Sequence, residues 1–142
     1  AHPAASRLVG KSSLMHEVQG MLRRAAETTL PVLILGETGT GKELAAHAIH
    51  ELSARAPERL VVVNCAAIPD ELFESEMFGH VRGAFTGAHE NRGGLVELAD
   101  KGTLFLDEIG ELSQENQARL LRVLENGSYR PVGSSRERKA DI

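Results

Sequence analysis

The sequence predicts an α/β fold in which helices cover both faces of a parallel sheet, giving three layers. Short, β-rich and mainly apolar runs at residues 32–35, 60–63 and 103–106 alternate with longer segments of helical periodicity. Apolar runs of this length are typical of strands that are buried on both faces of a parallel sheet. A glycine-rich turn follows the first run. Strand, helix and strand in this order favour right-handed crossovers between parallel strands.

Apolar residues with one-face helical spacing predict amphipathic helices between these runs. The first helix follows the possible capping residues Ser12 and Ser13, and the last begins after Ser113 and ends at Asn126-Gly127. The helix positions are Leu14, Val18, Met21, Leu22 and Ala25; Leu44, Ala45, Ala48, Ile49 and Leu52; Leu72, Phe73, Met77 and Phe78; and Ala118, Leu120, Leu121 and Leu124. Residues 129–142 are rich in turn-forming and basic side chains, which predicts a hairpin or a loop.

Composition bounds the class of protein. The 142 residues carry 16 Lys plus Arg and 20 Asp plus Glu, a formal charge of −4, which excludes a strongly basic nucleic-acid module. The 42% of hydrophobic residues suffices for a core within one domain or a piece of one. One cysteine, Cys65, excludes an intramolecular disulfide and fits a reducing compartment, so the expected location is the cytoplasm. No apolar run approaches the roughly 20 residues that span a bilayer.

A phosphate-binding loop is predicted between the first strand and the helix after it. Glycines let successive backbone N–H groups curl around phosphate oxygens, the helix N-terminus attracts the anion, and Lys42 neutralises the outer phosphates. A purely structural turn is the alternative. Glu43 departs from the general signature, because a Ser or Thr that contacts magnesium normally stands there. The loop residues are Gly36, Glu37, Thr38, Gly39, Thr40, Gly41, Lys42 and Glu43.

Two adjacent acids, Asp107 and Glu108, follow the third apolar run. Ligands bind at the carboxyl ends of the strands in open parallel sheets. There Asp107 is placed to hold magnesium through water, and Glu108 to orient and deprotonate a water that attacks a γ-phosphate. The alternative is an acid pair that begins a helix.

Polar Asn64 follows three valines, so it also emerges at the carboxyl end of its strand. It either hydrogen-bonds Glu108 or is an ordinary strand-end amide with satisfied hydrogen bonds. A segment with several glycines contains the hexapeptide Gly83, Ala84, Phe85, Thr86, Gly87 and Ala88. Its phenylalanine is either a mobile tip that contacts a partner or a plug that folds back into the core.

Taken together, residues 36–43, 83–88 and 102–110 closely resemble the AAA+ ATPase domain of the bacterial enhancer-binding proteins, the activators of sigma-54 RNA polymerase. The resemblance runs from about Val9 to the end of the chain. The hexapeptide is close to diagnostic for this family, whereas the phosphate loop alone marks a very broad class.

The resemblance implies a P-loop NTPase fold of the AAA+ type and a role for each site residue. Lys42 and the loop amides would bind ATP, Asp107 would hold Mg²⁺, and Glu108 would activate water. Asn64 resembles the switch residue that holds the catalytic glutamate until the partner is engaged. Glu43 resembles the usual family residue at its position, so it does not indicate an inactive site. The two residues that resemble the strip packing on adenine are Val9 and Gly10.

The resemblance also implies partners and a larger protein. Phe85 and Thr86 would contact sigma-54, in a ring that is usually a hexamer and that remodels the closed promoter complex into an open one. Residues 1–142 would be the first part of an ATPase domain, with residues 1–8 as a linker. The sensor strand, the arginine fingers and the helical lid of that domain would lie beyond Ile142. Regulatory and DNA-binding domains would lie elsewhere. Residues 1–142 alone are then expected to hydrolyse ATP very slowly or not at all.

Another class of function stays open at this point. The chain would then be a nucleotide-dependent assembly or regulatory module without sigma-54 contact, or would bind ATP without hydrolysing it. His47 and His50, one helical turn apart, are either a metal-binding pair or ordinary surface or groove residues. Cys65 is either a small buried residue or a redox site. The basic residues after Arg130 form a solvated loop or, less simply, contact DNA.

Overall fold

The computed structural model describes residues 13–36 and 41–142, and it describes side chains from residue 16 onward. Val9, Gly10 and the loop residues Glu37, Thr38, Gly39 and Thr40 lie outside the described residues. The chain divides into two compact units, Ala1–Leu60 and Val61–Ile142. We describe each unit by itself.

Two amphipathic helices pack against each other in the first unit. They are α1, Ser13–Ala26, and α2, Lys42–Leu52. Leu22 of α1 and Ala48 of α2 are buried between them, and Val18 and Ile49 pack around this pair. Both helices are therefore confirmed. Of the predicted apolar positions, Met21 is 55% exposed, and the side chain of Leu14 lies outside those described.

The prediction of a buried strand at residues 32–35 is wrong. This segment has no regular secondary structure, and Leu33 and Leu35 are 73% and 83% exposed. Within the described residues, the strands form two pairs elsewhere in the chain, and no strand pairs with residues 32–35. An apolar run becomes a buried strand only where a neighbour supplies backbone hydrogen bonds and helices cover its faces.

The second unit contains a parallel pair of strands with helices around it. The strands are β1, Leu60–Asn64, and β2, Thr103–Asp107. The connection between them contains α3, Asp70–Phe78, and the short helix α4, Leu95–Leu98. Helix α5, Gln114–Asn126, follows β2. The predicted order of strand, helix and strand is therefore confirmed in this unit. The short helix α4 was not predicted, because it follows a segment with several glycines.

The core of the second unit lies between β1 and the helices. Phe73, Met77 and Phe78 of α3 are buried, and the rings of Phe73 and Phe78 meet edge to face with centroids 6.4 Å apart. In β1 the buried Val61 and Val63 flank Val62, which is 41% exposed. The prediction that this strand is buried on both faces is therefore wrong. Its side chains alternate because one face packs on the core cluster.

Local signals set the ends of α5 as predicted. The Ser113 hydroxyl accepts a hydrogen bond from the Asn116 backbone N–H at 3.2 Å, which caps the first turn. Gly127 adopts a left-handed conformation and its N–H donates to the Val123 carbonyl. Of the predicted apolar positions, Leu120 is buried, whereas Leu121 and Leu124 are exposed.

A short antiparallel hairpin follows α5, as predicted for the last segment. Strand β3, Ser128–Tyr129, pairs with β4, Arg138–Lys139. The Tyr129 ring stacks on Phe78 with centroids 6.4 Å apart and joins the hairpin to the core. Among the residues described, no helix is both long and apolar enough to cross a membrane.

Candidate functional site

The second half of the predicted phosphate loop leads directly into a helix. Gly41 has a left-handed backbone, with φ 88°, and its carbonyl accepts the first α2 hydrogen bond from Ala45 at 2.9 Å. Lys42 is the first residue of the helix, and exposed Gly36 precedes the undescribed part of the loop. The N-terminus of an 11-residue helix carries partial positive charge and free backbone N–H groups. A helix N-terminus of this kind can bind an anion, and Lys42 stands at its first position.

The carboxylate of Glu43 is exposed to solvent. Its Oε1 lies 3.7 Å from the Nε2 of His47, one turn further along α2. A negative charge next to a bound triphosphate is tolerable when it faces solvent.

The two histidines of α2 have different surroundings. His50 is buried, and its Nε2 hydrogen-bonds the Glu58 carbonyl at 2.9 Å, whereas His47 lies toward the surface beside Glu43. Within residues 13–36 and 41–142, no group of three or more His, Cys, Asp or Glu side chains could hold a metal ion. The structure therefore assigns His50 a packing role.

Asp107 and Glu108 occupy the carboxyl end of β2. The Oδ1 of Asp107 accepts a hydrogen bond from the Glu108 backbone N–H at 3.0 Å. Glu108 itself has a left-handed backbone, with φ 58°, which is uncommon outside glycine, and it precedes the 3₁₀ turn Ile109–Glu111. Its side chain makes no capping hydrogen bond to that turn.

Asn64 lies at the corresponding end of β1. Its Oδ1 accepts a hydrogen bond from the Ala66 N–H at 3.0 Å and caps the 3₁₀ turn Cys65–Ala67. This turn packs against the turn Ile109–Glu111, because β1 and β2 are neighbours. The structure thus places Asn64 and Glu108 at one edge of the sheet. The capping bond uses the oxygen of the amide and not its Nδ2, the group that would donate to a carboxylate.

The negative charge at this edge affects the thiol of Cys65. Burial raises the pKa of Cys65, and the Asp107 carboxylate raises it further, to about 11. The side chain is 2% exposed and belongs to the core cluster. A thiol with a raised pKa is a poor nucleophile, so the structure supports the buried, unreactive interpretation of Cys65.

The donor set at this edge fits a magnesium ion that arrives with a nucleotide. Mg²⁺ takes oxygen ligands, keeps several waters, and is typically held by one or two carboxylates plus phosphate oxygens. Asp107 presents a carboxylate at the sheet edge, held by the Glu108 N–H through one oxygen. The residues would hold such an ion through one carboxylate oxygen and bridging water.

The hexapeptide Gly83 to Ala88 forms a tight loop on a rigid base. His80 and Arg92 form an antiparallel bridge with both N–H to carbonyl distances at 2.9 Å, and Val132 of the following hairpin pairs on the other side. Gly83 N–H donates to the Ala88 carbonyl at 2.9 Å and closes the loop. Gly83 and Gly87 both have positive φ, 83° and 97°, which side chains rarely adopt.

The tip of this loop presents Phe85 and Thr86 to solvent. Phe85 is 45% exposed, and Ala88 behind it is buried. The Phe85 ring contacts the ring of His80 edge to face, with centroids 4.9 Å apart and an interplanar angle of 69°. The phenylalanine is therefore neither a free tip nor a core plug. The sequence analysis missed His80, because a ring contact between residues five apart in a loop has no sequence signature.

Three features define the class of P-loop NTPases. They are a parallel sheet with flanking helices, a helix that begins at a glycine-lysine pair, and acids at the carboxyl end of a strand. The comparisons with known proteins narrow this class. The model of the Sigma-54 interaction domain family matches residues 8–142, so the chain belongs to that family. It is the AAA+ type of domain found in sigma-54-dependent regulators.

Curated relatives include two kinds of transcription regulator. The anaerobic nitric oxide reductase transcription regulator NorR of Aeromonas salmonicida is 53% identical over 140 residues, 99% of this chain. The hydrogenase transcriptional regulatory protein HoxA of Bradyrhizobium diazoefficiens is 58% identical over 130 residues, 92% of this chain. The matches cover only 28% and 27% of those two relatives.

Solved structures agree with the fold. A crystal structure of NtrX from Brucella abortus in complex with ATP superposes with a TM-score of 0.83 at 36% identity. The match covers 94% of this chain and 28% of that one. The predicted fold class, a P-loop NTPase core of α/β type, is thereby confirmed.

Proposed function

We propose that this chain is the ATP-binding and ATP-hydrolysing module of a sigma-54 activator. Through residues 83–88 it would couple ATP hydrolysis to remodelling of the closed promoter complex. One observation carries the proposal: a member of this family holds Phe85 and Thr86 exposed at the tip of a loop whose base is hydrogen-bonded on both sides. A loop with a hydrogen-bonded base and an exposed aromatic tip is suited to contact a protein partner.

The nucleotide in this proposal is ATP, bound at the N-terminus of α2. The structure of NtrX that superposes on this chain was solved with ATP, and another with ADP. The loop from Gly36 to Glu43 would wrap the phosphates, and Lys42 would neutralise the outer ones. Val9 and Gly10 would pack on the adenine.

Hydrolysis would use the edge at the carboxyl ends of β1 and β2. Asp107 would hold Mg²⁺, which neutralises charge on the phosphates, and Glu108 would take a proton from the attacking water. The Nδ2 of Asn64 would hold Glu108 away from the water until the partner is engaged. The left-handed backbone of Glu108, uncommon outside glycine, supports a special role for this residue directly after β2.

The proposed function also includes the assembly of the full-length protein and its location in the cell. Residues 1–142 would be the first part of the ATPase domain, with residues 1–8 as a linker. In a full-length protein this domain would form a ring, usually a hexamer. DNA would be bound by another domain, and the protein would work in the cytoplasm.

Replacing Thr86 with Ala tests the coupling function in a full-length protein that carries this chain. We expect sigma-54 capture and ATP-dependent promoter opening to fall by about tenfold or more, as for loss of a central interface contact. ATP turnover in the absence of sigma-54 should persist. Thr29→Ala, which removes an exposed threonine outside the loop, is the control. Normal capture and opening by the Thr86 variant would leave a pure assembly module as the better description.

Glu108→Gln tests the hydrolytic role in the same protein. The variant keeps the side-chain shape but loses the base, so turnover should fall by about 10²-fold to 10⁴-fold while ATP still binds. Glu111→Gln, an exposed acid in the neighbouring turn, is the matched control. Equal turnover by the two variants would remove Glu108 from the catalytic role.

A further inference from the structure

We propose that His80, held by Ser75, is a positioning residue that sets the orientation of Phe85 at the loop tip. The sigma-54 consequence of this proposal rests on the function proposed above, whereas the ring contact itself does not. Three features of the described residues carry it: a fixed backbone, a fixed imidazole and a ring contact.

The backbone of His80 is fixed from two sides. Its N–H and carbonyl both bond Arg92 at 2.9 Å, and the neighbouring Val81 N–H donates to the Val132 carbonyl at 3.1 Å. His80 therefore belongs to the base of the loop and not to its tip. A side chain that begins at such a residue has a defined starting point.

The imidazole is fixed by α3. The Ser75 hydroxyl hydrogen-bonds the Nδ1 of His80 at 2.9 Å, and the Ser75 carbonyl accepts from the Gly79 N–H at 2.9 Å where the helix ends. Ser75 thus bonds both the C-cap residue of α3 and the imidazole ring. The bond leaves the edge and face of the imidazole available for contact with the loop.

The loop tip uses that ring. Phe85 packs on His80 with centroids 4.9 Å apart at 69°, the edge-to-face arrangement that aromatic rings prefer. Phe85 nevertheless stays 45% exposed, so the rest of its ring remains open to a partner. His80 therefore selects one orientation of Phe85 without burying it. A side chain held in its binding orientation costs less conformational entropy when it binds.

The sequence allows a direct measurement of this contact. It contains no Trp, so Phe85→Trp introduces one fluorescent reporter at the tip of the 142-residue chain. Steady-state anisotropy reports how freely that side chain moves. Thermal unfolding by circular dichroism accompanies every variant and shows whether the fold persists.

In this background, His80→Ala should lower the anisotropy at an unchanged melting temperature, and His80→Phe should restore it because a ring is again present. Ser75→Ala should lower it in the same direction, since it removes only the hydroxyl, and alanine favours the helix. His89→Ala, an exposed histidine on the other side of the hexapeptide, is the matched control and should change nothing.

Equal anisotropy for His80→Ala and His89→Ala would overturn the proposal, as would failure of His80→Phe to restore the value. If His80→Ala lowers the melting temperature, Ser75→Ala decides the question, and an unchanged anisotropy there overturns the proposal.

A second measurement separates this proposal from the proposed function. In a full-length protein with Phe85 retained, His80→Ala should weaken nucleotide-dependent capture of sigma-54 by about 2-fold to 10-fold, the factor that corresponds to one aromatic pair. No capture by the parent protein contradicts the proposed function and leaves the anisotropy result standing. Normal capture by His80→Ala, with lowered anisotropy, overturns the binding role of His80.

Discussion

The surroundings of Cys65 in the folded chain change the pKa of its thiol. Its side chain is 2% exposed, and burial together with the Asp107 charge raises its pKa from 9.0 to about 11. Unfolding removes both effects. The folded state therefore retains its proton between about pH 9 and pH 11, where the unfolded thiol ionises.

We expect alkylation of Cys65 at pH 8 to be at least about 100-fold slower in the folded chain than in urea, because the thiolate fraction falls tenfold per pKa unit. The iodoacetamide labelling rate, measured by mass spectrometry, checks this. Since the folded pKa is raised, the stability from the neutral thiol is complete below about pH 9 and is lost as the pH rises through about 11. Equal labelling rates in buffer and in urea would contradict the burial of this residue.

Gly94 lies in close contact with a neighbouring backbone segment. A Cβ added there would overlap the carbonyl of Met77 and the N–H nitrogen of Gly79, where two backbone segments meet. Gly94→Ala should therefore destabilise the chain by about 1–3 kcal/mol through overpacking. Gly110→Ala is the matched control, because a Cβ there meets nothing within 4 Å. Urea unfolding measures both, and equal midpoints would show that the two segments separate at no cost.

At the scale of elements, a polar bridge joins α3 to α5. The buried Asn116 donates through Nδ2 to Asp70 at 3.0 Å and accepts through Oδ1 from Arg119 at 2.7 Å. Arg119 also lies 2.8 Å from Glu74 of α3. A buried amide with both ends satisfied fixes how the two helices align, because any other alignment would leave a donor or acceptor unpaired.

Asn116→Ala should cost about 1–3 kcal/mol, because it removes two hydrogen bonds and leaves the Asp70 carboxylate without this donor. Gln114→Ala removes an exposed amide from the same helix and should leave stability within about 0.5 kcal/mol of the parent. Chemical unfolding of the two variants provides the measurement. A smaller loss for Asn116→Ala than for Gln114→Ala would assign the α3 to α5 alignment to apolar packing alone.

The two units of the whole molecule differ in the size of their cores. In the described part of the first unit, the buried cluster consists of Leu22 and Ala48. The second unit buries a much larger cluster that includes Phe73, Met77 and Phe78. Because local stability follows the apolar surface that opening exposes, the first unit should open at lower free energy.

Hydrogen exchange measured by mass spectrometry tests this difference. Amides in the middle of α1 and α2 should exchange with an opening free energy a few kcal/mol below that of amides in α3 and α5, at about pH 7 without nucleotide. ATP should raise protection at the start of α2 if the proposed nucleotide site is correct. Equal protection in all four helices would show that the chain opens as one cooperative unit.

Local signals made most elements of this fold predictable. The spacing of apolar residues located α1 and α2, and Ser113 and Gly127 set both ends of α5, because caps and amphipathic faces act within one or two turns. The acids at the end of β2 were located for a similar reason, since a strand followed by charge has to emerge at a sheet edge. The failed prediction at residues 32–35 concerns an element whose existence depends on a partner strand.

The sequence by itself determined the family and located helices α1, α2, α3 and α5, because those depend on residue order and short-range periodicity. Only the tertiary structure decided the left-handed backbone of Glu108, the capping bond of Asn64, and the ring of His80 beneath Phe85. The ring contact depends on groups that the folded backbone brings together, whereas the other two are local conformations that the residue order allows but does not impose. Hydrogen bonds and ring contacts fall off within a few ångströms, so residue order alone does not specify them.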